Sequence, residues 1–267
     1  MPRWNPEQYL RFSEERTRPS RDLAAAVPLA RPDTILDAGC GPGNSTTVLR
    51  ERWPEARLLG ADASEDMLEA ARKAMPGTPF VQADLNGELS GLGAFDLVFS
   101  NAVLQWLPDP GEGLSRLFAL VKPGGALAAQ VPACTPGRSA EGRLETCDAH
   151  RMMAETAGEA PFAAYTVSCT RLKTLEALDV YRRLSPEAEV TMWETRYCHL
   201  LDGYDGLLQW YRGTGMRPYL ESLPDDDRRA CFEERFRRRA MEEFPLEVDG
   251  RLLFWFRRLF VVAVRKK

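Results

Sequence analysis

The sequence predicts an α/β fold built on a parallel, doubly wound sheet. Three observations carry that prediction. Apolar runs alternate with helical patterns through residue 131, as strands joined by crossover helices do. The first of these runs, Ile35-Leu36, leads into a glycine-rich turn, Asp37-Ala38-Gly39-Cys40-Gly41-Pro42-Gly43, and then into a helix reaching about Arg52. A length of 267 residues gives room for one such domain with insertions and a sizeable core.

Strand, glycine turn and helix in this order hold a ligand over backbone N–H groups at a helix N-terminus. Gly39 and Gly41 let the backbone approach that ligand because no Cβ stands in the way. Asn44 and Ser45 are good caps for the helix that follows. The pattern departs from the dinucleotide fingerprint G-x-G-x-x-G, because Asn44 stands where the third glycine belongs. Asp37 lies just before the loop, where its carboxylate would repel a pyrophosphate. It suits a cationic group instead, such as an amino-acid ammonium. This D-x-G-x-G-x-G run resembles motif I of the S-adenosylmethionine-dependent methyltransferases. Taken alone, it also fits an ordinary βα turn in another α/β protein.

The remaining elements follow in order. Residues 4 to 27 read as helical, with Pro19 restarting the chain. Tyr9, Phe12 and Arg16 there are either a packing face or a lid facing ligand. Arg57–Asp62 is the second strand. Asp62 ends it about twenty residues past the glycine loop, where an acid accepts hydrogen bonds from ribose hydroxyls. Ala63 and Met67 follow directly and are counted with the cofactor-binding residues. Phe80–Leu85 is the third strand with its exit. Asp84 there is placed for an exocyclic adenine amine, and Leu85 for the ring through its N–H. Phe95–Asn101 is continuously apolar and therefore central, and Asn101 ends it at the crevice. The next residues, including Gln105 and Trp106, form the pocket wall.

Glu112–Val121 reads as a helix and Ala126–Val131 as the fifth strand. Beyond it, residues 133 to 173 read as an inserted cap segment. Thr174–Leu184 follows as an amphipathic helix, and Ala188–Leu200 as a strand. Residues 200 to 250 read as a second, mostly helical insertion, and Leu252–Val264 closes the sheet. The expected organisation is thus a single domain over residues 1–267, with a helical lid over about 1–30 and cap insertions at about 133–173 and 200–250.

Composition narrows the function classes. The net charge is -4 with no long run of one sign, which gives no argument for nucleic acid or a membrane surface. No apolar run is long enough to span a bilayer, and the N-terminus does not read as a signal peptide. The six cysteines are scattered, with no C-x-x-C, and read as reduced thiols of a cytoplasmic protein. With only two histidines, a multi-histidine metal centre is not expected. No Ser-His-Asp or Cys-His constellation and no metal-ligand cluster is found.

Several segments together resemble the trans-aconitate 2-methyltransferase family. They are Trp4-Asn5-Pro6 with Tyr9 and Glu15-Arg16, the loop Asp37–Thr46, Ser100-Asn101-Ala102 with Leu104–Asp109, Thr214–Leu220, and Arg258–Ala263. The likeness covers nearly the whole chain and departs from the pattern between about residues 133 and 185. It implies a Rossmann-like class I methyltransferase with a seven-stranded, mostly parallel sheet of order 3-2-1-4-5-7-6, whose last strand is antiparallel. It implies S-adenosylmethionine as cofactor and S-adenosylhomocysteine as product. The implied reaction esterifies one carboxylate of a small polycarboxylic acid such as trans-aconitate, with no obligate protein partner. The missing constellations fit a methyl transfer from a sulfonium to an ionised carboxylate, a step that needs proximity and orientation and no general base.

A polyanionic acceptor needs cations, and arginine binds carboxylate through two parallel hydrogen bonds. Arg16, Arg217 and Arg258 lie in the matching segments and are the expected substrate-binding arginines, with Tyr9, Gln105, Trp106 and His199 beside them. The expected cofactor-binding set is Asp37, Gly39, Gly41, Asn44, Asp62, Ala63, Met67, Asp84, Leu85 and Asn101. Two other readings stay open on the sequence. One keeps the methyltransferase but moves the methyl to a malonyl carrier-protein thioester or a secondary-metabolite hydroxyl. The other is a non-catalytic binder of S-adenosylmethionine or a nicotinamide nucleotide.

Overall fold

In the computed structural model, residues 13–133, 143–167 and 173–267 are described, and all structural statements refer to them. The sheet contains β1 (Thr34–Ala38), β2 (Arg57–Asp62), β3 (Phe80–Gln82), β4 (Phe95–Asn101), β5 (Val121–Pro132), the two-residue β6 (Leu144–Glu145), β7 (Ala188–Leu201) and β8 (Leu252–Arg265). The helices are α1 (Ser13–Ala26), α2 (Asn44–Arg52), α3 (Glu65–Ala74), α4 (Pro110–Ala119), α5 (Thr146–Ala157), α6 (Ala163–Thr166), α7 (Ala177–Leu184), α8 (Gly203–Arg212), α9 (Arg217–Ser222) and α10 (Asp226–Glu243).

The main strands run β3-β2-β1-β4-β5-β8, with β7 on the far side of β8. Strands β1 to β5 pair parallel, and β8 is antiparallel to both β5 and β7. This is the expected order, with β7 and β8 in the roles of strands six and seven. The short β6 is an addition that pairs parallel with β8 at Phe254 and Trp255.

Alternation along each strand feeds two cores. Ile35, Leu97, Phe99, Ala128 and Phe260 pack on one face with α1, α2, α5, α8 and α10. Leu36, Val98, Leu127, Val261 and Ala263 pack on the other with α4 and α7. Both faces are covered, so the central strands read as unbroken apolar runs. At the strand starts, Asp96 Oδ2 accepts from the Thr34 N–H at 2.8 Å, and Lys122 Nζ reaches Asp96 Oδ1 at 3.0 Å. That knot ties β1, β4 and β5 at the edge away from the glycine loop.

Several boundaries differ from the sequence reading. Residues 13–26 form one helix that runs through Pro19, held by Leu23 and Ala24 in the core. Within the strand and exit expected over 80–85, the strand ends at Gln82 and Asp84 turns the exit by accepting from the Asn86 N–H at 2.9 Å. The caps expected from Asn44 and Ser45 are not formed. Gly43 stands at the N-cap of α2 with φ 97°, a left-handed conformation that suits glycine. Residues 1–12, and with them Tyr9 and Phe12, lie outside the described residues, as does the side chain of Arg16.

Candidate active site

A cavity of about 390 Å³ opens at the carboxyl ends of β1, β2 and β4 and reaches across to α5, α8, α9 and β8. In open α/β sheets ligands bind in the crevice outside the carboxyl ends of the strands, which is this edge. Its wall brings together Gly39, Gly41, Asn44, Asp62, Ala63, Met67, Asp84, Leu85 and Asn101 from the first half of the chain. Gln105, Trp106, Arg217 and Arg258 line the same space.

The glycines of the loop do different jobs. A Cβ on Gly39 would stand 2.3 Å from Val103 Cγ2, so this position must be glycine for the loop to lie on the wall behind it. A Cβ on Gly41 would meet nothing within 4 Å. Gly41 therefore leaves open space that a ligand can enter. Asp62 holds the loop at its mouth. Its Oδ2 accepts from the Gly41 N–H and its Oδ1 from the Ser64 N–H, both at 2.9 Å. Burial raises the Asp62 carboxyl, and the N–H groups of Ser64, Gly41 and Ala63 pull it back. Ser64 caps α3 by accepting from the Met67 N–H.

Asp37 is fully buried and does not line the cavity. Its Oδ2 accepts from the hydroxyls of Ser45 at 2.7 Å and Thr46 at 2.6 Å, tying the end of β1 to the start of α2. Its Oδ1 is buried without a hydrogen bond. Burial pushes its carboxyl up to about 6, against the lowering by Thr46 and Ser45, with Asp62 adding repulsion. Asp37, expected to face an ammonium, is thus buried at the β1–α2 junction and bonded there to the helix.

The wall beyond β4 is set by Ala102, which has φ 58° and is the one non-glycine residue with positive φ among the described residues. Such a conformation costs roughly 1–3 kcal/mol and persists where neighbours impose it. Here the Ala102 N–H donates to the Gln130 carbonyl at 2.9 Å, and the Ala102 carbonyl accepts from Gln105 Nε2 at 2.7 Å. The turn leads into a short 3₁₀ segment, Leu104–Trp106. Gln105 Oε1 is left buried without a hydrogen bond. An acceptor with no donor in a buried wall fits a donor on a ligand.

The opposite wall is basic. Arg217 and Arg258 are only 8 % and 5 % exposed, and among the described lining residues they are the cations. Arg217 starts α9, and its Nε donates to Glu221 Oε1 at 2.6 Å. Arg258 lies over the Phe256 ring, 4.3 Å from its centroid, and its Nη1 donates to Gln130 Oε1 at 3.0 Å.

His199 does not line the cavity. It sits behind Trp210 and Phe256, 4.8 Å from the Trp210 ring, and burial, with Arg258 and Arg18 adding repulsion, lowers it to about 4. The Tyr197 hydroxyl donates to Asp22 Oδ2 at 2.6 Å, a structural tie between β7 and α1. The histidine in the wall is His150, on α5, edge-on to Tyr211 at 5.4 Å and lowered to about 4 by burial. Sequence reasoning missed His150, Trp210, Tyr211 and Phe256. Nothing in their local spacing marks them, since helices and a strand far apart in sequence bring them together.

Comparison with known proteins follows the same division. A family model described as "Methyltransferase domain" matches residues 35–125, the part that holds the glycine loop and β4. The trans-aconitate 2-methyltransferase of Azoarcus sp. (strain BH72) is 43% identical over 267 residues, covering 99% of this chain and 100% of that protein. The protein of the same name from Methylobacterium nodulans is 44% identical over 268 residues, covering 99% of each. That of Escherichia coli (strain Crooks) is 39% identical over 264 residues, covering 98% of each. Among solved structures, the YcgJ protein from Bacillus subtilis overlays with a TM-score of 0.57 at 12% identity, covering 94% of this chain and 99% of that one. A putative methyltransferase from Bacillus halodurans C-125 gives 0.57 at 13%, covering 93% and 99%. These overlays establish the fold.

Proposed function

The chain belongs to the trans-aconitate 2-methyltransferase family, and from that membership and its cavity we propose that it esterifies one carboxylate of trans-aconitate or a closely similar acid, using S-adenosylmethionine. The observation that carries the acceptor reading is the pair of buried arginines, Arg217 and Arg258, in the same cavity as the glycine loop. A guanidinium binds carboxylate through two parallel hydrogen bonds, and two lining one cavity fit a ligand with more than one negative charge. The same buried pair favours a small polyanion over a carrier-protein thioester or an apolar hydroxyl.

The residues at the other end fit the cofactor. The space at Gly41, the Asp62 carboxylate at the loop mouth, Asp84 with the Leu85 backbone, and the unanswered Gln105 Oε1 offer acceptors and close backbone. When bound, S-adenosylmethionine supplies a methyl group already activated as a sulfonium. The acceptor carboxylate is already ionised near pH 7, so the chain needs no general base. Its task is to orient the acceptor through Arg217 and Arg258 and to keep water out with Trp106, Trp210, Tyr211 and Phe256. His150 is neutral at pH 7, so the positive charge of the wall belongs to the arginines.

The lid reading for residues 1–30 is supported by Thr17 and Ser20 of α1, which line the cavity, and the cap insertions supply Arg217 and His150 to it. The acceptor is a free small molecule in this reading, and no obligate protein partner is invoked. No helix among the described residues is long and apolar enough to cross a membrane. Among the described residues Cys40, Cys198 and Cys231 are free thiols, in keeping with a cytoplasmic setting.

The test is direct. Purified protein is supplied with S-adenosylmethionine and a panel of di- and tricarboxylates, and S-adenosylhomocysteine and the monomethyl ester are followed by mass spectrometry. Turnover with trans-aconitate is expected. No turnover on any acid of the panel would sink the acceptor assignment.

A further inference from the structure

Building on the family assignment above, we propose that Asn101 and Arg258 form a carboxylate-binding donor pair in the cavity, and that Gln130 is the positioning residue that fixes its polarity. The sheet register brings the three together. Asn101 pairs with Gln130 across β4 and β5, and Arg258 pairs with Pro132, one diagonal step from Gln130 on the same face. Gln130 Nε2 donates to Asn101 Oδ1 at 2.6 Å, and Gln130 Oε1 accepts from Arg258 Nη1 at 3.0 Å.

The direction of this chain is dictated by chemistry. A guanidinium has donors and no acceptor. Gln130 must therefore turn its carbonyl oxygen toward Arg258, which leaves its NH2 toward Asn101. Asn101 must answer with its own oxygen. The two amide orientations, ambiguous for an isolated Asn or Gln, are fixed by the arginine at the end of the chain. Among the described residues, the Asn101 side chain hydrogen-bonds only to Gln130, and it does so through Oδ1. Its NH2 is the group left for the cavity, which Asn101 and Arg258 both line and Gln130 does not.

An amide NH2 beside a guanidinium donates to a carboxylate and cannot accept from an ammonium. The side chain of Asn101 thus serves an anion. That carboxylate has two possible sources: the acid that receives the methyl, or the amino-acid end of the cofactor. Gln130 is 1 % exposed and acts only through its two neighbours.

The experiment uses the full chain with two variants and two constants. Asn101→Asp keeps the bond from Gln130 and replaces the cavity-facing donor with a negative oxygen. Gln130→Glu keeps an acceptor for Arg258 and removes the N–H that holds Asn101, so the Asn101 amide is free to turn over. The constants are KM for trans-aconitate and the dissociation constant of S-adenosylhomocysteine, read by calorimetry. Loss of a charge-assisted hydrogen bond predicts that Asn101→Asp raises one of them about tenfold or more. Gln130→Glu should move the same constant in the same direction, by about threefold or more, with an unchanged melting temperature and the other constant unmoved.

The constant that moves names the source of the carboxylate. If Asn101→Asp does not fold, Asn101→Ser removes the NH2 without adding charge and is held to the same expectation. Both constants staying within about twofold in every variant would overturn the donor pair. A lowered melting temperature with both constants impaired together in Gln130→Glu would overturn its positioning role. Failure of the unaltered protein to methylate any acid defeats the acceptor assignment instead, and the calorimetric constant then decides the donor pair alone.

Discussion

The two ends of one cavity carry opposite charge and are assembled in opposite ways. The cofactor end is made by consecutive strand-to-helix turns between residues 37 and 106, and its acids each close a strand or its exit. The acceptor end is gathered from α5, α8, α9 and β8, which supply His150, Trp210, Arg217 and Arg258. At the first end the N–H groups of Gly39, Cys40, Gly41 and Gly43 are spent within the protein, and in the proposed function the loop offers open glycine space and strand-end carboxylates. Its carboxylates then spend part of their hydrogen bonding on the loop itself, as Asp62 does with Gly41 and Ser64. At the second end the side chains carry the recognition, and other residues aim them: Glu221 for Arg217, Gln130 and Phe256 for Arg258. The lesson is that charges at both ends are partly structural: acids at the first end hold the chain's own loop, and arginines at the second are aimed by other side chains.

Three substitutions test that contrast. Asp37 is the extreme structural case. Its carboxyl has a folded-state value of about 6 against an ordinary 3.8. A raised value favours the protonated form in the fold, so its stabilising contribution is complete below the ordinary value and is lost as pH rises through 6. Two units correspond to about 3 kcal/mol held against the fold above pH 6. Asp37→Asn should therefore raise the melting temperature at pH 8, and the gain should shrink toward zero as pH falls to 4. A gain independent of pH would show that burial of its charge is not the cause.

Asp62→Ala removes an acceptor from the loop mouth together with any contact to ligand. Loss of one charge-assisted hydrogen bond, about 1.5–3 kcal/mol, makes an affinity for S-adenosylhomocysteine weaker by about tenfold to a hundredfold the expected outcome by calorimetry. KM for the acceptor, read with saturating cofactor, should change little. An equal rise in both would blur the division between the ends.

Arg217→Ala is the counterpart at the other end. It should raise KM for the polycarboxylate about tenfold with cofactor affinity nearly unchanged. A KM equal to that of the parent protein would remove Arg217 from the acceptor site.

Much of the cofactor end was legible in the sequence because it is local. Strand, glycines and helix lie within twenty residues of Thr34, and Asp62 and Asp84 stand at strand exits that the apolar runs mark. For Asp37 the same reasoning left its direction open, because a strand-end side chain can point into the cavity or back toward the helix. The hydroxyls of Ser45 and Thr46 decided that choice. It also took Asn44 and Ser45 for caps, where Gly43 takes the position by its left-handed backbone. At the acceptor end, Arg217 and Arg258 follow from resemblance to a family, His199 from its place at a strand end, and no local signal marks His150.

The sequence by itself determined the alternation of strands and helices, the parallel sheet through residue 131 and the glycine loop, since these follow from apolar periodicity and from conformations that only glycine adopts cheaply, while the strand order and the antiparallel last strand came from the family resemblance. Only the tertiary structure decided which histidine faces the cavity, which acid is buried behind the loop, and that Gln130 joins Arg258 to Asn101. Those outcomes depend on strand register and on which faces of distant helices meet, and a hydrogen bond between residues 128 positions apart has no counterpart in local pattern.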